Sequence, residues 1–106
     1  MAETYIVVLI TADDTGEGRR IARALVEQKK AACVNIVPGV ESIFWWEGKL
    51  DEARESLLVV KTKASLLPEV TKLVKEMHSN EVPEIISLPI TGGNEDYLRW
   101  IGESVG

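Results

Sequence analysis

Cys33 and His78 are the only cysteine and the only histidine of the 106-residue chain, and both carry donors suited to chemistry. Thiolate and imidazole ligate soft and borderline metals such as copper. Each also has an ordinary structural use. A free cysteine packs as a small hydrophobe. A histidine at the C-terminal end of a helix interacts favourably with the helix dipole. Met77, Glu81 and Glu84 add soft and hard donors near His78, in a spacing that matches no closed zinc motif. Cys33 has no CxxC partner and cannot close an intrachain disulfide. No serine lies on a GxSxG turn, and no nucleophile–base pair can be named, so the chain is expected not to be an enzyme. Thr91-Gly92-Gly93-Asn94 leads into a helix and is a candidate anion contact. A turn and helix cap account for the same four residues. Lys61-Thr62-Lys63 is either a second anion contact or a solvated strand end.

The bulk composition narrows the classes further. The chain is 45% hydrophobic and 27% charged, the balance of one globular domain over residues 1–106. Its formal net charge of -5 argues against nucleic acid and against an anionic membrane as partners. No apolar stretch approaches the roughly 18 residues of a membrane span. The N-terminal residues lack the pattern of a signal peptide, and the expected compartment is a reducing cytoplasm.

The elements that must hold these side chains alternate between strand and helix. Residues 4–11 (TYIVVLIT) form a continuous β-branched run. Apolar residues recur at helical spacing over 17–30, with Asp13, Asp14 or Thr15 as candidate caps. A second strand over 33–37 is expected to break at Pro38-Gly39 and resume over 40–46. Residues 47–51 read as a hairpin connection and 55–62 as the third strand. Leu66, Val70, Leu73, Val74 and Met77 outline a helix from a Ser65 cap to His78, with Pro68 in its first turn. A fourth strand over 82–90 and a short helix capped by Asn94 complete the order. The fold class is α+β: a ferredoxin-like β-α-β-β-α-β sandwich with a short C-terminal helix.

Right-handed crossovers place both long helices on one face of the sheet. The strands nonetheless read apolar on both faces. Ile6, Val8 and Ile10 oppose Tyr5, Val7 and Leu9, while Leu57 and Val59 oppose Leu58 and Val60. With no third layer in the sequence, the open face is expected to be buried by self-association. Trp45 and Trp46 point to opposite faces, so one is expected toward the helices and the other toward a partner or ligand.

Four stretches together resemble the CutA divalent-cation tolerance family: 21–27 (IARALVE), 31–36 (AACVNI), 42–49 (SIFWWEGK) and 82–85 (VPEI), closing with 97–101 (YLRWI). The resemblance implies a PII-like homotrimer with sheets packed inward and a link to copper and other divalent ions. No cofactor is implied; Cu or another divalent ion would be bound weakly. Cys33 and His78 match the metal suspects of the family. Trp46, Glu55, Lys61, Glu84 and Tyr97 match a polar cleft between subunits. A PII-like regulator binding a small anion or a partner protein in that cleft is the alternative the resemblance allows. This chain departs from the pattern at Phe44, where a tyrosine is usual, and at Asn80, where an aromatic is usual. Lys30 and Asp13 stand in place of a leucine and a proline.

Overall fold

The computed structural model describes residues 4–106. Strand β1 (Tyr5–Asp13) leads into helix α1 (Glu17–Glu27), then strands β2 (Cys33–Trp46) and β3 (Lys49–Lys63). A single 3-10 turn, Ala64–Leu66, precedes helix α2 (Leu67–Met77); strand β4 (Ile85–Pro89) and helix α3 (Glu95–Ser104) follow. The sheet order is β2-β3-β1-β4, antiparallel at each pairing. This is the ferredoxin-like arrangement expected from the element order.

Alternation along the strands divides the sheet into two faces. Ile6, Val8, Ile10 and Ala12 of β1 and Leu58 and Val60 of β3 are buried against Ile21, Ala22 and Leu25 of α1 and Val70 and Val74 of α2. The polar Thr62 is buried in the same register and donates to the Lys30 carbonyl at 2.6 Å, which satisfies its hydroxyl.

Several boundaries differ from the expected ones, each for a local reason. Pro38-Gly39 does not break β2. It produces a register shift between Val37 and Val40, a bulge in which Gly39 takes φ +72°. The hairpin turn is only Glu47-Gly48, with φ of 50° and 77°, the positive pair a two-residue primed turn requires. β3 therefore begins at Lys49, and Trp46 pairs with Lys49. Helix α1 stops at Glu27, before the positive φ of Lys29. Ser65 falls within the 3-10 turn and caps nothing; Pro68 sits in the first turn of α2 as expected. β4 is shorter than the expected strand, because residues 82–84 belong to the loop before it. Asn94 caps α3 by accepting from the Asp96 amide at 3.0 Å.

Two consequences matter for the site. First, β1 pairs with β3 only up to Asp13↔Glu55, so residues 40–46 and 49–55 run on as a two-stranded arm. The arm carries neither tryptophan into the core: Trp45 is 74% exposed and Trp46 44%, contrary to the expectation that one would meet the helices. Second, a third layer is present. Helix α3 touches β3 and β1, and fully buries Ile101. Gly102 faces the Tyr5 ring, where a Cβ would meet the hydroxyl at 2.8 Å, so a larger residue here would displace the Tyr5 ring. The open face is thus covered at its Tyr5 end. Ile86 and Leu88 of β4, each 51% exposed, remain uncovered with Val37.

Candidate functional site

The residues singled out in the sequence divide into two groups at opposite ends of this outer face. Cys33 pairs with Lys61 in the β2–β3 register, and Lys61 pairs with Val7. Helix α3 brings Tyr97 against them. Burial, the neighbouring Cys33 charge and a Cys33 hydrogen bond all push the Tyr97 hydroxyl above its ordinary pKa. The Lys61 ammonium bonds the Asn35 side chain, and Tyr97 stacks at a tilt on Trp100, with ring centroids 5.3 Å apart. A cation, a thiol and a phenol therefore sit together on one rigid corner of the sheet.

Glu55 lies on the same face as Lys61 but six residues away along β3, or roughly 20 Å at about 3.3 Å per residue. Glu55, Trp46 and Glu84 line a groove of about 840 Å³. One wall is the β2–β3 arm, which contributes Phe44, Trp46 and Glu55. The other is the loop joining α2 to β4, from Ser79 through Glu84. Glu47, Asp51, Glu52, Glu55, Glu81 and Glu84 all border this space, and among the described residues no lysine or arginine does. Of the five expected cleft residues, three thus form an acidic, aromatic groove. The other two, Lys61 and Tyr97, stand with Cys33 at the far end.

His78 is the C-terminal cap residue of α2. Its Nε2 donates to the Thr11 carbonyl at 2.7 Å, while Nδ1 accepts from the Asn80 amide at 3.0 Å. Both ring nitrogens are therefore engaged. Thr11 lies four residues along β1 from Val7, the strand neighbour of Lys61. Cys33 and His78 are thus separated by about 13 Å along the strand direction alone. A shared ion needs both donors within about 2.0–2.3 Å of it, so one subunit does not bring these two together. Among the described residues, no three His, Cys, Asp or Glu side chains converge on a metal position.

Helix N-termini and sheet ends around the groove are tied by a polar network that the sequence did not reveal. The Glu17 carboxylate, 5% exposed, accepts from the Ser79 amide at 2.7 Å, the Ser79 hydroxyl at 3.1 Å and the Asp13 amide at 3.2 Å. Burial raises its pKa, but the Ser79 and Asp13 bonds and the nearby His78 outweigh burial and hold it below the ordinary value. Asp14 accepts from the Ser56 hydroxyl at 2.6 Å and lies 3.7 Å from Arg54. A glutamate opening a helix reads in sequence as a dipole contact. Nothing in the sequence marks its bond to a serine 62 positions away.

Comparison with known proteins decides the family. The model of the CutA1 divalent ion tolerance protein matches residues 6–104. This chain belongs to the CutA1 family. It is 50% identical over 100 residues to the divalent-cation tolerance protein CutA of Thermus thermophilus, covering 94% of this chain and 97% of that one. The solved structure of the Thermus thermophilus protein superposes with a TM-score of 0.94 at 49% identity, covering 96% and 99% of the two chains. The structure of CutA from Archaeoglobus fulgidus, described as a periplasmic divalent cation tolerance protein, gives 0.92 at 45% identity, covering 96% and 99%. Protein CutA 1, chloroplastic, of Oryza sativa is 50% identical over 93% of this chain. The chain spans about half the length of its plant relatives: 56% of the rice protein and 54% of its Arabidopsis thaliana counterpart. No helix among the described residues of this CutA1 chain is long and apolar enough to cross a membrane.

Proposed function

We propose that this CutA1 chain acts as a non-enzymatic homotrimer in divalent-ion tolerance, with its working site shared between subunits. One observation carries the reading. The acidic groove bearing Trp46, Glu55 and Glu84 and the corner bearing Lys61, Tyr97 and Cys33 occupy opposite ends of one sheet face, too far apart to meet within a chain. A head-to-tail interface joins one end to the other between neighbours, and it closes into a cyclic oligomer when the rotation between subunits divides the full circle. The number three comes from the family resemblance. The half-open face with Val37, Ile86 and Leu88 supports burial against neighbours. In this reading a divalent ion is cargo, bound weakly by groove carboxylates as oxygen donors or by Cys33 as a soft donor. His78 contributes only by giving up its bond to Thr11 or to Asn80. A free thiol is compatible with a reducing cytoplasm.

Titration calorimetry with Cu(II) and Zn(II) on the assembled protein tests the metal part. Weak binding that is lost in Cys33→Ser/His78→Ala supports the two named donors. Equal binding by parent and double variant removes them, and no heat for either removes the cargo reading. Sedimentation of the parent tests the ring, which requires about three chain masses in one species.

Lys61, held on the outer face by Asn35, favours a second reading. In it the trimer is a regulator that takes a small anion or a partner protein in the same cleft. A thermal-shift screen of phosphorylated and carboxylated metabolites tests it by mass action on the folded state. Stabilisation that disappears in Lys61→Ala supports it, and no stabilisation by any compound refutes its anion form.

A further inference from the structure

We infer that Glu17, which does not line the groove, is its positioning residue, and that the β1–α1 turn sets the distance between the two groove walls. The loop wall, residues 79–84, belongs to no helix or strand and depends on side chains for its placement. Three contacts hold its entry. Glu17 accepts from the amide and the hydroxyl of Ser79. His78 donates to the Thr11 carbonyl, and Thr11 itself borders the groove. The Asn80 amide closes on His78 Nδ1.

Glu17 is fixed in turn by the Asp13 amide and by burial at the start of α1. The arm wall is held from the same turn by a different carboxylate. Asp14 takes the Ser56 hydroxyl at 2.6 Å and lies 3.7 Å from Arg54, at the root of the arm. Adjacent elements of one turn therefore grip the two walls independently: Glu17 the loop, Asp14 the arm. A buried carboxylate accepting several hydrogen bonds is among the stronger polar anchors available, because charge-assisted bonds exceed neutral ones. Shifting this turn moves a wall through Ser79 or Ser56, away from the groove carboxylates and Trp46.

Hydrogen exchange on the 106-residue protein tests this, peptide by peptide. Glu17→Ala is expected to speed exchange over residues 78–84 by about tenfold or more, since bonds to a charged acceptor are lost. Glu17→Gln retains one acceptor oxygen and is expected to recover part of that protection. Asp14→Ala is expected to loosen residues 53–56 and leave 78–84 unchanged. Should Glu17→Ala fail to fold, Ser79→Ala removes only the hydroxyl contact and is expected to give a smaller increase confined to the same loop. Unchanged exchange at 78–84 in the folded Glu17 variants overturns the assignment. So does an equal rise over every segment, or a response of both walls to each substitution.

Discussion

The sheet body and the arm are made from the same two strands, β2 and β3, yet they are stabilised in different ways. In the body, Leu58 and Val60 are fully buried beneath α1 and α2, and each strand is paired. In the arm, Ile43, Trp45 and Leu50 are 66%, 74% and 64% exposed, and β3 has a partner on one side only. A two-stranded hairpin is marginal alone in water. The arm therefore has less support from its own subunit than the body has. The bulge at Val37/Val40 sits near the boundary between the two regimes.

This contrast can be broken most severely from the body side. Leu58→Ala empties space beneath the helices and is expected to cost about 2–5 kcal/mol of unfolding free energy, read by urea denaturation. A loss no larger than that of Leu50→Ala measured in a dissociated subunit would show that body and arm are not distinct. On the arm, Trp46→Ala is expected to weaken self-association by about 2 kcal/mol per interface, read by sedimentation equilibrium. The dissociated subunit should keep its far-ultraviolet circular dichroism. An unchanged association constant would mean that the arm is not an interface.

Smaller effects sharpen the electrostatic side. Lys61→Glu and Glu55→Lys are each expected to weaken the assembly by about 1 kcal/mol at low salt, and less at high salt. In the proposed ring the two ends meet between neighbours, so the combined swap is expected to recover part of the loss. Additive losses in the combined variant would place those ends in separate contacts.

The smallest effect concerns the turn that joins the regions. Glu17 has a lowered pKa in the folded chain, so the carboxylate adds stability above the ordinary glutamate value of about 4.3. That contribution fades as pH falls through the lowered value. Parent and Glu17→Gln are therefore expected to differ in urea midpoint at neutral pH, with the gap narrowing as pH falls toward 3. A gap that widens toward acid would reverse the sign.

The sequence by itself determined the element order and the two-faced strands, because alternation, helical spacing and Asn94 capping act over a few residues, while stretches such as 31–36 and 82–85 carried the family resemblance. The resemblance marked Trp46, Glu55 and Glu84, which the fold gathers into one groove, and Lys61 and Tyr97, which it places beside Cys33. Local signals misled at Pro38-Gly39, where cross-strand pairing overrode a turn dipeptide and turned it into a bulge. They also missed the length of the arm, because its polar stretch at 51–55 reads as loop until Trp46 and Lys49 are seen to pair.

Tertiary structure alone decided that α3 folds onto the outer face, that Cys33 and His78 stand apart, and that Glu17 grips Ser79. Those outcomes depend on contacts between residues tens of positions apart. Such contacts form only once the sheet order β2-β3-β1-β4 has placed distant segments side by side. Hydrophobic burial sets that order for the body as a whole, and no single spacing in the chain encodes it.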